Sequence, residues 1–224
     1  MRVIIFGATG MLGQGVLREC LADSDVETVL SIGRTRASLQ QTKLVDVVQK
    51  DLFGLEELGT KLDGYEVCLY CLGASSFRMQ EKEYRRLTVD LTVSIAETLL
   101  RHNPGMRFLF ISGTGTDSTG TSAQMWARVK GEAENALLRM PFGAAYMFRP
   151  SFVRPLHGSL PRAAWLRILY QISSPFFSIL KLLFPKHVST TEELGRAMIH
   201  VAKRGFGQPI LENWDFRKAA VQVS

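Results

Sequence analysis

The chain has 224 residues, is 46% hydrophobic and 21% charged, and carries a formal net charge of +6. That is enough for one sizeable domain with a full core, and the composition is that of an ordinary soluble protein rather than a disordered or fibrous one. Three cysteines, Cys20, Cys68 and Cys71, provide no even-numbered disulfide framework and suit a reducing cytoplasm.

The opening MRVIIFGATGMLGQGV begins with an Arg and an apolar run, but glycines break the run before a signal-peptide core is complete. Strands are expected at 2–6, 26–32, 44–49, 65–72, 106–112 and 144–149, and helices at 11–22, 54–62, 81–101 and 122–140. The strand runs are rich in Val, Ile, Phe and Leu without strict alternation, as in strands covered on both faces. CLYC at 68–71 has the spacing of a redox motif. On a strand, however, residues three apart point to opposite faces, so Cys68 and Cys71 read as buried thiols. Turn chemistry punctuates the order at NPG (103–105) and GTGTDSTGTS (113–122). Alternating strands and helices imply an α/β fold, a doubly wound parallel sheet with helices on both faces. No repeat or linker divides the chain, so 1–224 reads as a single domain: a core over 1–150 and a small C-terminal portion, 151–224, covering one end of the sheet.

Charge is unevenly spread. Residues 1–100 hold eleven Lys/Arg against fourteen Asp/Glu, whereas 101–224 hold sixteen against seven. No acid occurs from 135 to 191, a span with seven bases: Arg139, Arg149, Arg154, Arg162, Arg167, Lys181 and Lys186. Such a stretch favours an anionic ligand or membrane surface, or is a solvated basic face. Within it, 162–184 reads as helix, with Trp165, Ile168, Leu169 and Ile172 on one apolar stripe and Phe176, Ile179, Leu180 and Leu183 on another. Arg167, Gln171, Pro175 and Lys181 interrupt it too often for a transmembrane span. Core packing is the default reading; a substrate lid, an oligomer interface or peripheral membrane contact is the alternative.

The strongest signal is FGATGMLGQG at 6–15. Gly7, Gly10 and Gly13 follow a strand and open a helix, the setting in which such glycines bind a dinucleotide. The turn needs backbone angles that suit Gly, a Cβ at Gly10 would hold the backbone off a pyrophosphate, and Gly13 lets helix and strand approach. Unpaired N–H groups at the helix start, from Thr9 through Met11 and Leu12, face the anion with the helix dipole behind them. At the second strand's end, SIGRTR, Arg34 stands where an acid would hold the ribose hydroxyl of NAD. A guanidinium there, with Arg36 close by, suits the extra phosphate of NADP. At roughly 1.5–3 kcal/mol, the contact favours NADP over NAD by about ten- to a hundredfold.

These features resemble the short-chain dehydrogenase/reductase superfamily, and most of all its atypical and extended branches of the NmrA-like and epimerase-like kind, from residue 1 to about 204. GATGMLG matches their glycine pattern. Asp51 and Leu52 resemble the adenine contact, and Cys71, Leu72 and Gly73 in CLGAS the loop lining the cofactor. ISGTGT (111–116) matches the fifth strand, where Ser112 takes the catalytic Ser/Thr position. WARVKGEAE (126–134) matches the Tyr-x-x-x-Lys helix, and STTEELGRAMIHVA (189–202) a late helix. FRPSFVRP (148–155), with Pro150, Phe152 and Val153, resembles the segment beside the nicotinamide. The resemblance implies a Rossmann domain whose 1–150 core binds NADP(H) and whose remainder meets a small-molecule substrate. It also implies an oxidoreductase or isomerase with Lys130 gripping the nicotinamide ribose.

The pattern breaks at one place. Trp126 stands where the family has its catalytic tyrosine. A phenol can exchange a proton, whereas an indole N–H only donates a hydrogen bond. Ser112, Thr114, Thr116 and Tyr84 are the remaining candidates for the proton step, and a non-catalytic NADP(H)-sensing regulator or partner-binding protein is the alternative function. His102, His157, His187 and His200 lack metal-ligand spacing, and the net charge alone does not specify nucleic-acid binding.

Overall fold

The first strand sets the geometry. Val3, Ile4, Ile5 and Phe6 are all buried, with alternate side chains serving the two faces of one sheet. The computed structural model describes residues 1–37, 39–158, 177, 182–184 and 186–221. In chain order these form β1 (Arg2–Phe6), α1 (Met11–Ala22), β2 (Thr28–Gly33), β3 (Leu44–Val48), a 3-10 segment (Leu52–Leu62), β4 (Val67–Tyr70) and α2 (Glu81–Arg85). A π turn (Arg86–Asp90) leads into α3 (Leu91–His102), followed by β5 (Arg107–Ile111), α4 (Met125–Arg139), β6 (Ala144–Arg149) and β7 (Phe152–Arg154). β8 (Val188–Thr190), α5 (Thr191–Arg204), β9 (Ile210–Glu212) and α6 (Asn213–Val221) complete the described elements.

Seven strands form the main sheet in the order β3–β2–β1–β4–β5–β6–β9, each neighbour parallel. β7 and β8 make a separate parallel pair. On one face Val3, Ile5, Val29, Leu69, Leu109 and Phe148 pack against α1, α5 and α6; on the other Ile4, Phe6, Leu30, Tyr70, Phe108 and Met147 pack against α3 and α4. Fully burying each large apolar side chain contributes about 1.5–3 kcal/mol. The fold is thus the expected doubly wound α/β sheet.

Cys68 belongs to one of these cores and Cys71 packs against the other, as their three-residue spacing requires. Burial raises the thiols of Cys20, Cys68 and Cys71 above the usual thiol range; Cys20 and Cys68 are fully buried packing groups, whereas Cys71 is only partly buried, short of the expected full burial.

Three expectations need revision. The helix at 54–62 is a 3-10 segment starting at Leu52, interrupted at Gly54 and Gly59. The helix at 81–101 contains the π turn, with an extra residue in its middle. The C-terminal portion does more than cover an end of the sheet: β9 extends it beside β6, and α5 crosses α1. That crossing is close, because a Cβ on Gly15 would lie 2.5 Å from the Thr191 Cβ. Most of the stripes assigned to 162–184 fall outside the described residues. Leu183, a described member of the second stripe, is 64% exposed rather than core, and no helix among the described residues is long and apolar enough to cross a membrane.

The start of α5 shows how its position is fixed. The Thr190 hydroxyl accepts from Glu193 N–H at 3.0 Å while the Glu193 carboxylate accepts from Thr190 N–H at 2.9 Å, a reciprocal cap. Thr190→Ala should cost about 1 kcal/mol of unfolding free energy, read as a lower urea midpoint at unchanged slope.

Candidate functional site

The strand order reverses at β1, between β2 and β4, so a crevice opens beyond the carboxyl ends of these strands. Gly7 turns the chain out of β1 with φ +78°; a Cβ on it would lie 2.6 Å from the Cys71 carbonyl. One turn into α1, a Cβ on Gly13 would lie 2.1 Å from the Gly7 oxygen. Only glycines let the helix start this close to the sheet. Gly10 is the N-cap of α1, has no side chain to cap it, and no acid occupies the first turn. The N–H groups of Met11, Leu12 and Gly13 have no intrahelical partners, and the positive end of the helix dipole lies with them. An anion fits this terminus, and a diphosphate fits the glycine-lined space in front of it.

That space is a cavity of about 330 Å³ lined by Gly7, Ala8, Thr9 and Gly10, by Ser31–Thr35, and by Leu52, Cys71, Leu72 and Gly73. A second, of about 320 Å³, adjoins it and shares Arg34, Leu52, Leu72 and Gly73. Lys50, Asp51, Phe53, Ala74, Arg86, Leu87 and Leu91 complete its wall. Together they suit a dinucleotide half: diphosphate at the glycines, a base between Leu52, Leu72 and Leu91, and cations at the rim. Asp51 is partly committed, because its carboxylate accepts from Phe53 N–H at 3.0 Å.

Sequence reasoning placed Gly7, Thr9, Gly10, Arg34, Asp51, Leu52, Cys71, Leu72 and Gly73 here, and the structure brings them together. It missed Lys50 and Arg86. Lys50 directly precedes the recognised Asp51–Leu52 pair and could have been read from it; Arg86 arrives from a helix, its guanidinium 5.4 Å from the Phe53 ring centre, with no motif to announce it. Pro150, Phe152 and Val153 lie beyond these cavities. The Pro150 carbonyl accepts from Thr114 N–H at 3.0 Å, Val153 is buried in β7, and Phe152 contacts the Phe177 ring.

Further along the same edge, β5 ends at Ile111 and Ser112 follows it. Thr116 donates to the Gly113 carbonyl at 2.7 Å, so across the 2.9 Å contact between the two hydroxyls the Ser112 proton goes to Thr116. Lys130 reaches from α4 to donate to the Ser112 carbonyl at 2.8 Å. The side chain is half-buried overall. Burial lowers its pKa to about 8, partly offset by the charge of Glu134. Trp126 lies one turn earlier, its ring under Gly115 and its N–H donated to Gln124 at 2.6 Å. Tyr84 is buried and bonded to Thr88, and burial raises its phenol, so it is poorly placed to exchange a proton. Thr114 bonds to the Arg149 carbonyl and to Ser151.

The depressed lysine links the site to stability. The unfolded chain holds this proton up to its ordinary value near 10.5, the folded chain only to about 8. Between those values the unfolded state binds more protons, so stability rises with pH. The penalty is fully present below about pH 8 and gone above the ordinary value. Thermal unfolding of wild type and Lys130→Met across this range should show the wild type gaining on the variant as pH climbs; parallel curves would place the ammonium in water.

No family model matches the chain. Over 150 residues, 66% of the chain, it is 28% identical to protein HTATIP2 of Rattus norvegicus, a match spanning 61% of that protein and thus less than two thirds of its length. Over 206 residues, 90% of the chain, it is 18% identical to the mitochondrial protein FMP52 of Meyerozyma guilliermondii, spanning 85% of it. Among solved structures, Gre2 of Candida albicans in complex with NADPH superposes with a TM-score of 0.68 at 16% identity, over 95% of this chain and 78% of that one. With its parallel strand order and glycine turn, the chain has a doubly wound Rossmann fold, the fold it shares with Gre2.

Proposed function

We propose that the protein binds NADP(H) and acts as an oxidoreductase or isomerase on a small molecule, with an altered proton-transfer site. The observation that carries this reading is the uncapped glycine start of α1 facing a cavity whose rim holds Arg34, Lys50 and Arg86. The glycine turn takes the diphosphate, and Leu52, Leu72 and Leu91 take the base. Arg34, shared by both cavities, takes the additional phosphate that separates NADP from NAD. Lys130, beside Ser112, takes the nicotinamide ribose. When bound, the reduced cofactor supplies hydride. Gre2, of the same fold, is seen with NADPH, which agrees with this assignment. The three free thiols suit a reducing compartment such as the cytoplasm.

The proton is the weak point. Trp126 has no ionisable hydroxyl, and its N–H is spent on Gln124. General acid help is typically worth 10²–10⁴-fold, so turnover is slow or confined to substrates that need little protonation. Trp126 also favours a second reading, a regulator that binds NADP(H) without turning it over. An anionic substrate agrees with the basic stretch 135–191, although its Arg149 is occupied by Glu134 and Glu212.

Titration with NADPH and NADH, followed by tryptophan fluorescence, tests the binding. Arg34→Ala should weaken NADPH by about ten- to a hundredfold and leave NADH little changed; Lys130→Ala should weaken both. Binding of neither nucleotide by the wild type would sink the proposal. Trp126→Tyr should raise NADPH consumption with carbonyl substrates if the protein is an enzyme short of a proton donor. Activity absent from both forms, with cofactor bound, would select the regulator.

A further inference from the structure

One turn beyond Lys130, on the same side of α4, Glu134 is completely buried. Arg149, at the end of β6, grips it with two donors, Nε to Oε1 at 3.0 Å and Nη2 to Oε2 at 2.5 Å. The same Nη2 donates to the Ser118 hydroxyl at 2.7 Å, which donates to Glu134 Oε2 at 3.3 Å. Nη1 reaches Glu212 of β9 at 3.4 Å, and Asn135 donates to the Ser118 carbonyl at 2.8 Å. The cluster ties α4, β6, β9 and the loop after β5 together, and these elements surround the contact between Lys130 and the Ser112 carbonyl. A buried ion pair is weak evidence of a stability role, because well-packed apolar residues often serve as well.

The other charges near Lys130 are turned away. The Asp117 carboxylate is filled by Thr119 and Ser122. Arg128 and Glu132 lie about 200° around the helix from Lys130 and bind Glu81 and Arg85 of α2. Tyr84 of α2 is bonded to Thr88, and Asp90 of the π turn to Arg85. Among the described residues Lys130 forms no ion pair of its own. Glu134 is the carboxylate whose field reaches it.

We propose that Glu134 and Arg149 are a positioning pair for Lys130: their clamp fixes the helical turn that aims the ammonium at the Ser112 carbonyl, and the Glu134 carboxylate helps to keep that ammonium charged. The inference rests on the reading of Lys130 as the cation that meets the cofactor. Arg149 neutralises most of the carboxylate's charge, so Lys130 is held in the cationic form by a dipole rather than by a full counter-ion. The site keeps a positive charge available to a ligand instead of cancelling it with a salt bridge.

The test is a pH titration of Lys130 itself, on protein labelled at lysine ¹³Cε and without nucleotide, its signal assigned with Lys130→Arg. Glu134→Gln removes the carboxylate and leaves Arg149 only its longer contact with Glu212, so the Lys130 midpoint should fall by roughly half a unit or more, about 0.7 kcal/mol. The double variant Glu134→Gln with Arg149→Met, which removes both members of the buried pair if the single variant folds poorly, should lower it less. Ser118→Ala, which loosens the clamp without changing charge, should leave the midpoint in place and weaken NADPH at every pH. A midpoint shared by wild type and both Glu134→Gln proteins would overturn the proposal. Failure of the wild type to bind NADPH would remove the cofactor reading while leaving the midpoints to be judged on their own.

Discussion

The contact between the Gly13 backbone and the Gly7 carbonyl is the constraint from which the site follows. A Cβ at Gly13 would lie 2.1 Å from that oxygen, so the first turn of α1 can rest on the end of β1 only if residue 13 has no side chain. That seating points a bare helix terminus into the crevice where strand order reverses. The cost is a glycine at the N-cap, where a Ser or Asp would satisfy a backbone donor. The contrast with α5, whose start is closed by Thr190 and Glu193, shows what α1 forgoes. A helix end left open in this way, and lined by backbone instead of side chains, is built to be completed by a ligand.

A similar economy applies to positive charge. Arg149 is consumed by Glu134 and Glu212, and Lys203 by Asp23 and Asp25. Lys130, half-buried against the Ser112 carbonyl, has no carboxylate of its own among the described residues, and Arg34, Lys50 and Arg86 stand at the rim of the second cavity. These cations of the chain therefore divide in space into structural ones and available ones. Along this edge the protein presents bare amides at one end and a lysine at the other, with exposed guanidinium groups off to one side. The chemistry between them is what Trp126 leaves open.

The core of the fold was legible because it is local. Each parallel strand is a short apolar run, and the bounds of β1, α1 and β6 match those read from residue pattern alone. The glycine motif was equally legible, since its three residues act within one turn. What sequence could not show depends on residues brought together from far apart. Arg149 and Glu134 are fifteen positions from each other on different elements, and Arg86 meets Phe53 from a different element. The extra residue of the π turn leaves no compositional mark, and β9, with only Ile210–Glu212, is too short to carry a periodic signal. Lys130 could be placed by its motif, but its contact with a backbone carbonyl could not.

The crossing of α1 and α5 has a bearing on how the chain is made. α1 is shielded by a helix that is synthesised long after it, with Gly15 fitted to Thr191 and Glu19 to Gly195 and Arg196. Until then Val16, Leu17 and Cys20 can be only half enclosed, and the outer edge of β6 stands open for β9. Nucleation from the N-terminal half alone would leave a greasy, aggregation-prone intermediate. Maturation therefore waits on a late segment closing over an early one, and any helper that attends the nascent polypeptide has its longest task at the face of α1.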